Sequence, residues 1–309
     1  MTTETETQML TWQIPVVTQP WEKSFDSMYV ELLGTQTRIV QGKKYKTRVI
    51  EAGDGEPLIL LHGAGGSAES WFCNVMNLSK DFHVYAIDAL YHGFSSKEPA
   101  DVADRTAQQV DHLLDFMDAE GIDKANIEGE SMGSHITFRT AYEHPDRCLK
   151  IVLNTGQQVN FKRKFAPNLK GPDSLRILSQ AALKHPNRRT IRARMEWLMT
   201  TPDRVDEELV SLRLKFWSIP ELQKALEGIG PGLGQPRRFE EEECQNIKVP
   251  TLVFWTEFNP SGGPDIGEYF ASLIPGAKYY LMKDAAHWPQ YEHPEEHDRV
   301  ITDFIKGRL

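Results

Sequence analysis

The chain has 309 residues, of which 40% are hydrophobic and 26% charged, and its formal net charge is −9. The composition is typical of a soluble globular protein, and the length is large for one core but not for an α/β domain with an insertion. The negative charge disfavours nucleic-acid binding, because a phosphate backbone needs a basic face. The polar start MTTETETQML and the lack of a run of about 18 apolar residues indicate neither a signal peptide nor a membrane span. We therefore expect a cytoplasmic protein without a nucleic-acid or membrane partner.

In chain order, TRIVQGKKYKTRVIEAG from Thr37 predicts a hairpin that turns at Gly42. Short apolar segments rich in β-forming residues then predict strands buried on both faces, at 57–63, 83–89, 126–130, 150–155, 250–255 and 277–282. Helical patterns lie between them, for example at 106–121, which ends on a glycine. This alternation predicts a parallel sheet with helices on both faces.

The alternation stops between residues 157 and 245, where helical periodicity, several prolines and the flexible GIGPGLG (228–234) occur. We interpret this stretch as a helical cap inserted between two sheet strands. The chain then divides into an N-terminal extension (1–35), a core domain (36–156 and 246–309) and the cap (157–245).

Basic residues are concentrated in 161–194, which holds ten Lys and Arg against the single acid Asp173. The segment is therefore +9 and the remainder of the chain −18. One interpretation is a solvated helical face that is balanced elsewhere, for instance by the run from Glu240 to Glu243. The other is an electropositive roof that attracts anionic substrates.

The motif GESMG (129–133) follows a predicted strand and precedes helix-compatible residues. It fits G-x-S-x-G, in which a tight strand-to-helix turn holds the serine in a strained conformation and leaves no room for side chains at the glycine positions. In this context Ser131 is a candidate nucleophile. The pentapeptide alone is a weak signal, because such patterns arise by chance.

Two more segments fit the same chemistry. LILLHGAGGSAESW (58–71) places Gly63 at a strand end, so that the backbone N–H groups of Ala64 and Met132 could stabilise an oxyanion. Its glycine spacing is not G-x-G-x-x-G, and it lacks G-K-[ST], which disfavours dinucleotide- and nucleotide-binding loops. Near the C-terminus, His287 follows the last predicted strand, in the order serine, acid, histidine that is typical of α/β-hydrolases.

HPEEH (293–297) matches a zinc-protease pattern, H-x-x-E-H. Metal binding would need His293 and His297 one turn apart on one helix, but Pro294 favours the first helical position and leaves His293 outside. The three cysteines, Cys73, Cys148 and Cys244, are odd in number and not in C-x-x-C spacing, which argues against a disulfide framework or a zinc site. We expect no metal and no cofactor.

These motifs resemble those of α/β-hydrolases of the meta-cleavage product type, which hydrolyse carbon–carbon bonds in vinylogous 1,5-diketones formed by aromatic ring cleavage. The resemblance covers most of the chain from about residue 45, and HWPQYEH (287–293) is similar to that family's H-W-x-Q-W-E-H. It implies an α/β-hydrolase fold, a mostly parallel eight-stranded sheet flanked by helices, with an inserted cap. The segment 192–213 resembles a family segment that ends in a substrate-binding arginine, which assigns this role to Arg213. On spacing alone, Arg213 could instead pair with Glu207 or Glu208.

Two positions depart from the family pattern. The family's catalytic aspartate falls on Asn259, and the Asn that usually precedes the nucleophile is Glu130 here. An amide can orient an imidazole but cannot stabilise an imidazolium. We predict Asn259 in the structural position of the acid, with Glu257 as the first alternative and Asp265 as the second.

The predicted function is cofactor-independent cleavage of a C–C bond in an anionic, aromatic-derived ketone. Ser131 is the expected nucleophile and His287 the base, while Arg213, Trp288, Gly63 and Glu130 are expected to bind substrate. An esterase or lactonase with the same residues is the first alternative, and a non-catalytic ligand-binding homologue is an alternative of another class. The partner is then a small molecule, and a homodimer is left open.

Overall fold

The computed structural model describes residues 21–97, 104–166, 171–229 and 237–309. Ten strands occur in these ranges: β1 (Gln36–Gln41), β2 (Lys46–Ala52), β3 (Glu56–Leu61), β4 (Phe82–Ile87), β5 (Ala125–Glu130), β6 (Cys148–Asn154), β7 (Val159–Asn160), β8 (Phe239–Glu240), β9 (Thr251–Thr256) and β10 (Lys278–Met282). Eight of them form one sheet in the order β1-β2-β4-β3-β5-β6-β9-β10, and β7 pairs with β8.

The helices of the same ranges are α1 (Met28–Glu31), α2 (Val75–Leu78), α3 (Arg105–Ala119), α4 (Met132–Glu143), α5 (Gly171–Lys184), α6 (Arg188–Leu198), α7 (Glu207–Trp217), α8 (Pro220–Ile229), α9 (Glu241–Cys244), α10 (Pro264–Leu273), α11 (Pro289–Glu292) and α12 (Pro294–Ile305). Short 3₁₀ helices lie at Ala68–Trp71, Pro145–Arg147 and Pro202–Arg204. None of the helices in the described part of the chain has the length and hydropathy needed to cross a bilayer.

The predicted eight-stranded, mostly parallel sheet is confirmed. Strands β1 and β2 form the predicted antiparallel hairpin, closed by a hydrogen bond of 2.8 Å from Gly42 N to Tyr45 O. Strand β2 pairs antiparallel with β4, and the remaining neighbours in the sheet pair in parallel. The short β7–β8 pair was not predicted, because two-residue strands carry no periodicity that a sequence can display.

Strand β3 is apolar on both of its faces. Leu58 and Leu60 face one hydrophobic cluster, whereas Ile59 and Leu61 face another on the opposite side of the sheet. Side chains alternate across a strand, so burial on both faces requires an unbroken apolar run. The predicted strand extended to residue 63, but β3 ends at Leu61, and the next residues form the loop that carries Ala64.

A third hydrophobic cluster lies among helices α5 to α8, all of which are inserted between β7 and β8. It includes Trp197 and Trp217 of the insertion together with Trp288 and Tyr291 from the C-terminal part of the chain. The insertion therefore packs directly on the segment that carries His287. Most of GIGPGLG and residues 1–20 of the predicted N-terminal extension lie outside the described residues.

Candidate active site

Ser131 lies at the sharp turn between β5 and α4. Its backbone angles, φ +53° and ψ −110°, are strained for any residue other than glycine. A Cβ atom on Gly129 would overlap the backbone of Gly133, and one on Gly133 would overlap the Leu61 carbonyl. The small residues of the motif are thus required by packing. Ser131 is partly exposed although the strand before it is buried.

The loop after β3 carries Ala64, which is one of the two expected oxyanion residues. Gly65 adopts φ +72°, and its N–H donates to His92 Nε2 at 3.0 Å. His62 contacts the Gly63 carbonyl through Nδ1 at 2.8 Å, and burial lowers the pKa of His62 to about 4. Two buried, neutral histidines therefore shape this loop. Ala64 is exposed, whereas the glycines on both sides of it are buried.

Two arginines of the inserted helices close over this loop. Arg213 of α7 donates from Nη1 to the Gly65 carbonyl, and Arg194 of α6 donates from Nη2 to the Ala64 carbonyl at 2.7 Å. Their exposed fractions are 6% and 4%. Burial lowers the pKa of Arg213 to about 9 and that of Arg194 to about 10, although the Glu130 carboxyl acts in the opposite direction on both. A dry environment disfavours the charged form of a cation.

His287 is held at the boundary between the sheet and the inserted helices. Its backbone N–H donates to the Leu198 carbonyl at 2.8 Å, and its carbonyl accepts from Thr155 Oγ1 at 3.0 Å. The imidazole packs edge-to-face against Trp197, with ring centroids 5.3 Å apart. These contacts fix both the position of the loop and the plane of the ring.

Asn259 Oδ1 lies 2.9 Å from His287 Nδ1. The amide is oriented by two further hydrogen bonds, because Nδ2 donates to the Thr155 carbonyl at 3.3 Å and Oδ1 accepts from Ser261 N at 3.1 Å. An oxygen that faces Nδ1 must accept, so Nδ1 carries the proton and Nε2 has the lone pair. In this tautomer the ring can accept a proton at Nε2.

The two carboxylates considered as alternatives contact other groups. Glu257 Oε2 accepts from Asp284 N at 3.2 Å, and Oε1 lies 3.5 Å from Lys283 Nζ. Asp265 is exposed in the first turn of α10. Asn259 is therefore the side chain that the structure brings to Nδ1.

Glu130 comes close to the other nitrogen of the imidazole. Its side chain is completely buried, and Oε1 lies 3.3 Å from His287 Nε2. Burial raises the pKa of Glu130 to about 8. A Cβ on Gly63 would overlap the Glu130 carboxylate, so Gly63 leaves the space that this side chain occupies. The substrate-binding role of Glu130 stays a prediction, and the sequence does not predict its proximity to His287.

A sequence profile described as the alpha/beta hydrolase fold matches residues 56–294, most of the chain. The chain belongs to the alpha/beta hydrolase fold family. It is 26% identical over 295 residues to the 2-hydroxy-6-oxo-6-(2'-aminophenyl)hexa-2,4-dienoic acid hydrolase of Metapseudomonas resinovorans, covering 93% of this chain and 94% of that protein.

Two solved structures share the fold. The 2-hydroxy-6-oxo-6-phenylhexa-2,4-dienoate hydrolase of Rhodococcus sp. strain RHA1 superposes with a TM-score of 0.74 at 22% identity, covering 88% of this chain and 99% of that one. The carboxylesterase of Bacillus subtilis gives 0.73 at 22% identity, with 91% and 98% covered. The chain is thus an α/β-hydrolase enzyme that resembles meta-cleavage product hydrolases.

Part of the basic segment of this α/β-hydrolase is balanced by surface ion pairs, as the first interpretation predicts. Lys162 forms an ion pair with Glu242, which belongs to the predicted balancing run, and Arg188 and Arg192 pair with Glu207 at the surface. Arg194 instead turns inward to the site. The sequence identifies the basic segment but does not show that Arg194 points inward while Arg188 and Arg192 lie at the surface.

The alternative partners of Arg213 are not its contacts in the α/β-hydrolase. Glu207 pairs with Arg188 and Arg192, and Glu208 Oε2 accepts from Met28 N at 2.8 Å. Arg213 itself lies 5.6 Å above the Trp288 ring, which is 3% exposed. Trp288 thus supports the guanidinium that lies over the Gly65 loop.

The zinc-protease pattern lies at a helix start, with Pro294 in the first helical position as predicted. Helix α12 begins at Pro294, and His293 is its N-cap. His297 is buried between Glu128 Oε1 at 2.7 Å and Asp298 Oδ1 at 3.0 Å. Within the residues that the structure describes, no group of three His, Cys, Asp or Glu side chains is arranged to hold a metal ion.

Proposed function

We propose that this α/β-hydrolase is a cofactor-independent serine hydrolase that cleaves a carbon–carbon bond in an anionic ketone derived from an aromatic ring. Ser131 attacks the carbonyl carbon and His287 Nε2 takes its proton. The N–H groups of Ala64 and Met132 stabilise the oxyanion. Asn259 fixes the tautomer and plane of the imidazole.

The observation that carries the proposal is the pair of buried guanidinium groups beside the loop of Ala64. Arg213 and Arg194 are both attached to the loop of Ala64, the expected oxyanion residue. Among the described residues, Arg194 Nη1 is buried without a hydrogen-bond partner. Buried cations with unused donors favour an anionic ligand, and the dienoic acid named for the relative in Metapseudomonas resinovorans is of this kind.

The inserted helices act in this proposal as the cap of the active site, with boundaries near residues 157 and 245. They supply both arginines and also Trp197, which packs on the imidazole. Closure of such a cap excludes water and strengthens the contacts of a charged substrate.

An esterase or lactonase activity is the second candidate, and Glu130 is the observation that favours it. This acid occupies the place of the amide that precedes the nucleophile in the meta-cleavage family. When ionised, it adds negative charge close to Nε2 of His287. A neutral ester would be less sensitive to that charge than an anionic dienoate.

The two candidates are separated by incubating the purified enzyme with 2-hydroxy-6-oxo-6-phenylhexa-2,4-dienoate and, separately, with a 4-nitrophenyl ester, while absorbance is followed. We expect a higher kcat/KM for the dienoate, with a carboxylic acid as one product. A preference for the ester would support the second candidate. Binding of the dienoate without turnover of either substrate would contradict both and support a ligand-binding protein.

A further inference from the structure

Glu130 is a buried acid that the mechanism above leaves without a task. We propose that Glu130 is the charge partner of His287, that the two side chains share one proton between Oε1 and Nε2, and that loss of this proton frees Nε2 to act as the base. The catalytic consequence rests on the proposed function. The shared proton is a property of the site that can be measured without substrate.

The geometry of Glu130 supports a direct interaction with the imidazole. The side chain is 1% exposed, and Oε1 lies 3.3 Å from His287 Nε2. Among the described residues, neither carboxylate oxygen has a well-formed hydrogen-bond partner, and the approach to His287 Nε2 is a close contact. A buried polar atom without a partner is costly. A proton held between Oε1 and Nε2 supplies the carboxyl group with such a partner.

Four charged or titratable groups face Glu130 from the elements that pack around it. Arg213 of α7 and Arg194 of α6 lower the pKa of this carboxyl, and Glu128 of β5 raises it. His287 is the fourth. Because burial has the largest effect, the pKa of Glu130 is raised to about 8, and the acid keeps its proton near neutral pH. Two groups in contact lose and gain protons as a pair.

Glu130 supplies the negative charge beside His287 that the amide of Asn259 lacks. The amide at Nδ1 carries no charge, so it cannot offset the positive charge of an imidazolium. Glu130 can do so from the Nε2 side, because an opposite charge within about 4 to 6 Å favours the charged form of a histidine. The carboxylate therefore replaces the missing acid at the other nitrogen of the ring.

The proton balance is as follows. In the resting pair one proton lies between Oε1 and Nε2, and it leaves to solvent. The Ser131 hydroxyl proton then moves to Nε2 while Oγ bonds to the carbonyl carbon and the carbonyl electron pair moves onto oxygen. The imidazolium faces the ionised Glu130. As the oxyanion collapses, the C–C bond breaks, and the departing carbon keeps the electron pair and takes the proton from Nε2, which leaves Ser131 acylated. A water molecule that gives a proton to Nε2 then attacks the acyl carbon, and that proton passes to the Ser131 oxygen as the carboxylic acid is released. We therefore expect kcat/KM to rise with pH as the pair loses its proton.

The direct test is NMR of the imidazole nitrogens of His287 in wild type and Glu130→Gln, titrated with pH in the absence of substrate. We expect the ring to lose its proton at a pH about one unit or more lower in Glu130→Gln, because the carboxylate no longer stabilises it. Equal titration in the two proteins would overturn the proposal.

A second measurement does not depend on the folding of the variant. In wild type labelled at the glutamate carboxyl carbon, the signals of Glu130 and His287 should shift over the same pH range. A Glu130 signal that titrates alone, in the ordinary acidic range of a carboxyl group, would contradict the shared proton. A shared titration in a protein that turns over neither test substrate would retain the pair and refute the proposed function.

The consequence for activity is read from the pH dependence of kcat/KM. The acidic limb should move to lower pH in Glu130→Gln, and the loss of charge compensation should reduce the maximal kcat. Glu257→Gln removes a carboxylate that contacts Lys283 and Asp284, so its profile should follow wild type. An unchanged profile in Glu130→Gln would contradict the proposal.

Discussion

Asn259 gives His287 an acceptor of well-defined orientation but no charge. The distance of 2.9 Å to Nδ1 is that of an ordinary hydrogen bond, so the amide can fix the tautomer as an aspartate would. In serine proteases the corresponding change from Asp to Asn lowers kcat about 10⁴-fold. The negative charge that an aspartate would place beside His287 must therefore come from another residue.

Replacing Asn259 by Asp tests this view. A carboxylate at Nδ1 would raise the pKa of His287, because it stabilises the imidazolium. We expect hydrolysis of a 4-nitrophenyl ester to increase about tenfold or more at pH values above the new pKa, and the acidic limb of the pH profile to move upward. Asp265→Asn, which changes an exposed carboxylate of α10, is the control. No increase for Asn259→Asp at any pH would show that the charge is not limiting.

Arg213 is predicted to discriminate between anionic and neutral substrates. Arg213→Gln removes a buried charge beside the Gly65 loop, and a charged hydrogen bond in such a place contributes about 1.5 to 3 kcal/mol. We expect kcat/KM for the anionic dienoate to fall about tenfold to a hundredfold, with a smaller loss for a neutral ester of similar size. Arg188→Gln is the matched control, because Arg188 pairs with Glu207 at the surface. Equal losses for both substrates would make Arg213 a structural residue.

At the scale of elements, the turn from β5 to α4 and the loop after β3 form one packed unit. The Leu61 carbonyl at the end of β3 leaves no room for a Cβ on Gly133, the second residue of α4. The strained conformation of Ser131 is held in place because the end of β3 packs tightly against the first turn of α4. The loop of His287 is fixed in a similar way, since Glu292 accepts from Ala286 N at 2.6 Å and pairs with the buried Arg204 at 3.0 Å.

Gly133→Ala should damage this unit. The added methyl group must displace backbone, and overpacking of this kind costs about 1 to 3 kcal/mol. We expect a lower Tm together with loss of most of the turnover, because the serine moves with the turn. Gly121→Ala is the comparison: Gly121 has φ +68° and open space around its Cβ position, so this variant should lose some stability but keep its activity. Full activity in Gly133→Ala would contradict the packing argument.

At the scale of the whole molecule, a buried ionic cluster makes stability depend on pH. His297 lies between Glu128 and Asp298, and the contacts with these carboxylates raise the pKa of His297 to about 9 against an ordinary value of 6.5, despite its burial. The stabilisation is fully present below the ordinary value and is lost as pH rises through the raised one. Glu130 acts in the same direction, because a buried acid with a raised pKa destabilises the fold once it ionises.

We therefore expect the Tm of the wild type to fall between pH 6.5 and 9. His297→Gln should be less stable at pH 6.5 but should show a shallower decline over the same interval, and calorimetry at several pH values measures both slopes. Parallel slopes would mean that His297 carries no charge in the folded protein.

Much of the fold could be predicted because it depends on patterns that a sequence displays. Strands β3 and β9 are apolar on both faces, whereas β5 carries Glu128 and Glu130 and the edge strand β10 is only partly buried. Gly129, Ser131 and Gly133 satisfy a steric rule. The roles of Arg194 and Glu130 could not be predicted, since these depend on which way a side chain turns. Arg194 has the same local composition as the surface arginines near it, and only the packing of α6 on the Ala64 loop directs it inward.

Resemblance to a family gives less guidance at the positions where this chain departs from the pattern. It aligned Asn259 with a catalytic aspartate and identified the substitution at Glu130, but it did not predict the contact between Glu130 and His287. The contact between Glu130 and His287 depends on the absence of a side chain at Gly63 and on complete burial. Neither of these is visible in one sequence.

In the proposed mechanism, Ser131 is the nucleophile of a C–C bond hydrolase. The most direct test is turnover of 2-hydroxy-6-oxo-6-phenylhexa-2,4-dienoate by wild type and Ser131→Ala, with product analysis and a parallel binding titration. We expect wild type to release a carboxylic acid, and Ser131→Ala to fold and bind the dienoate while its turnover falls by about 10³-fold or more. Retention of more than a small fraction of wild-type turnover by Ser131→Ala would contradict the account.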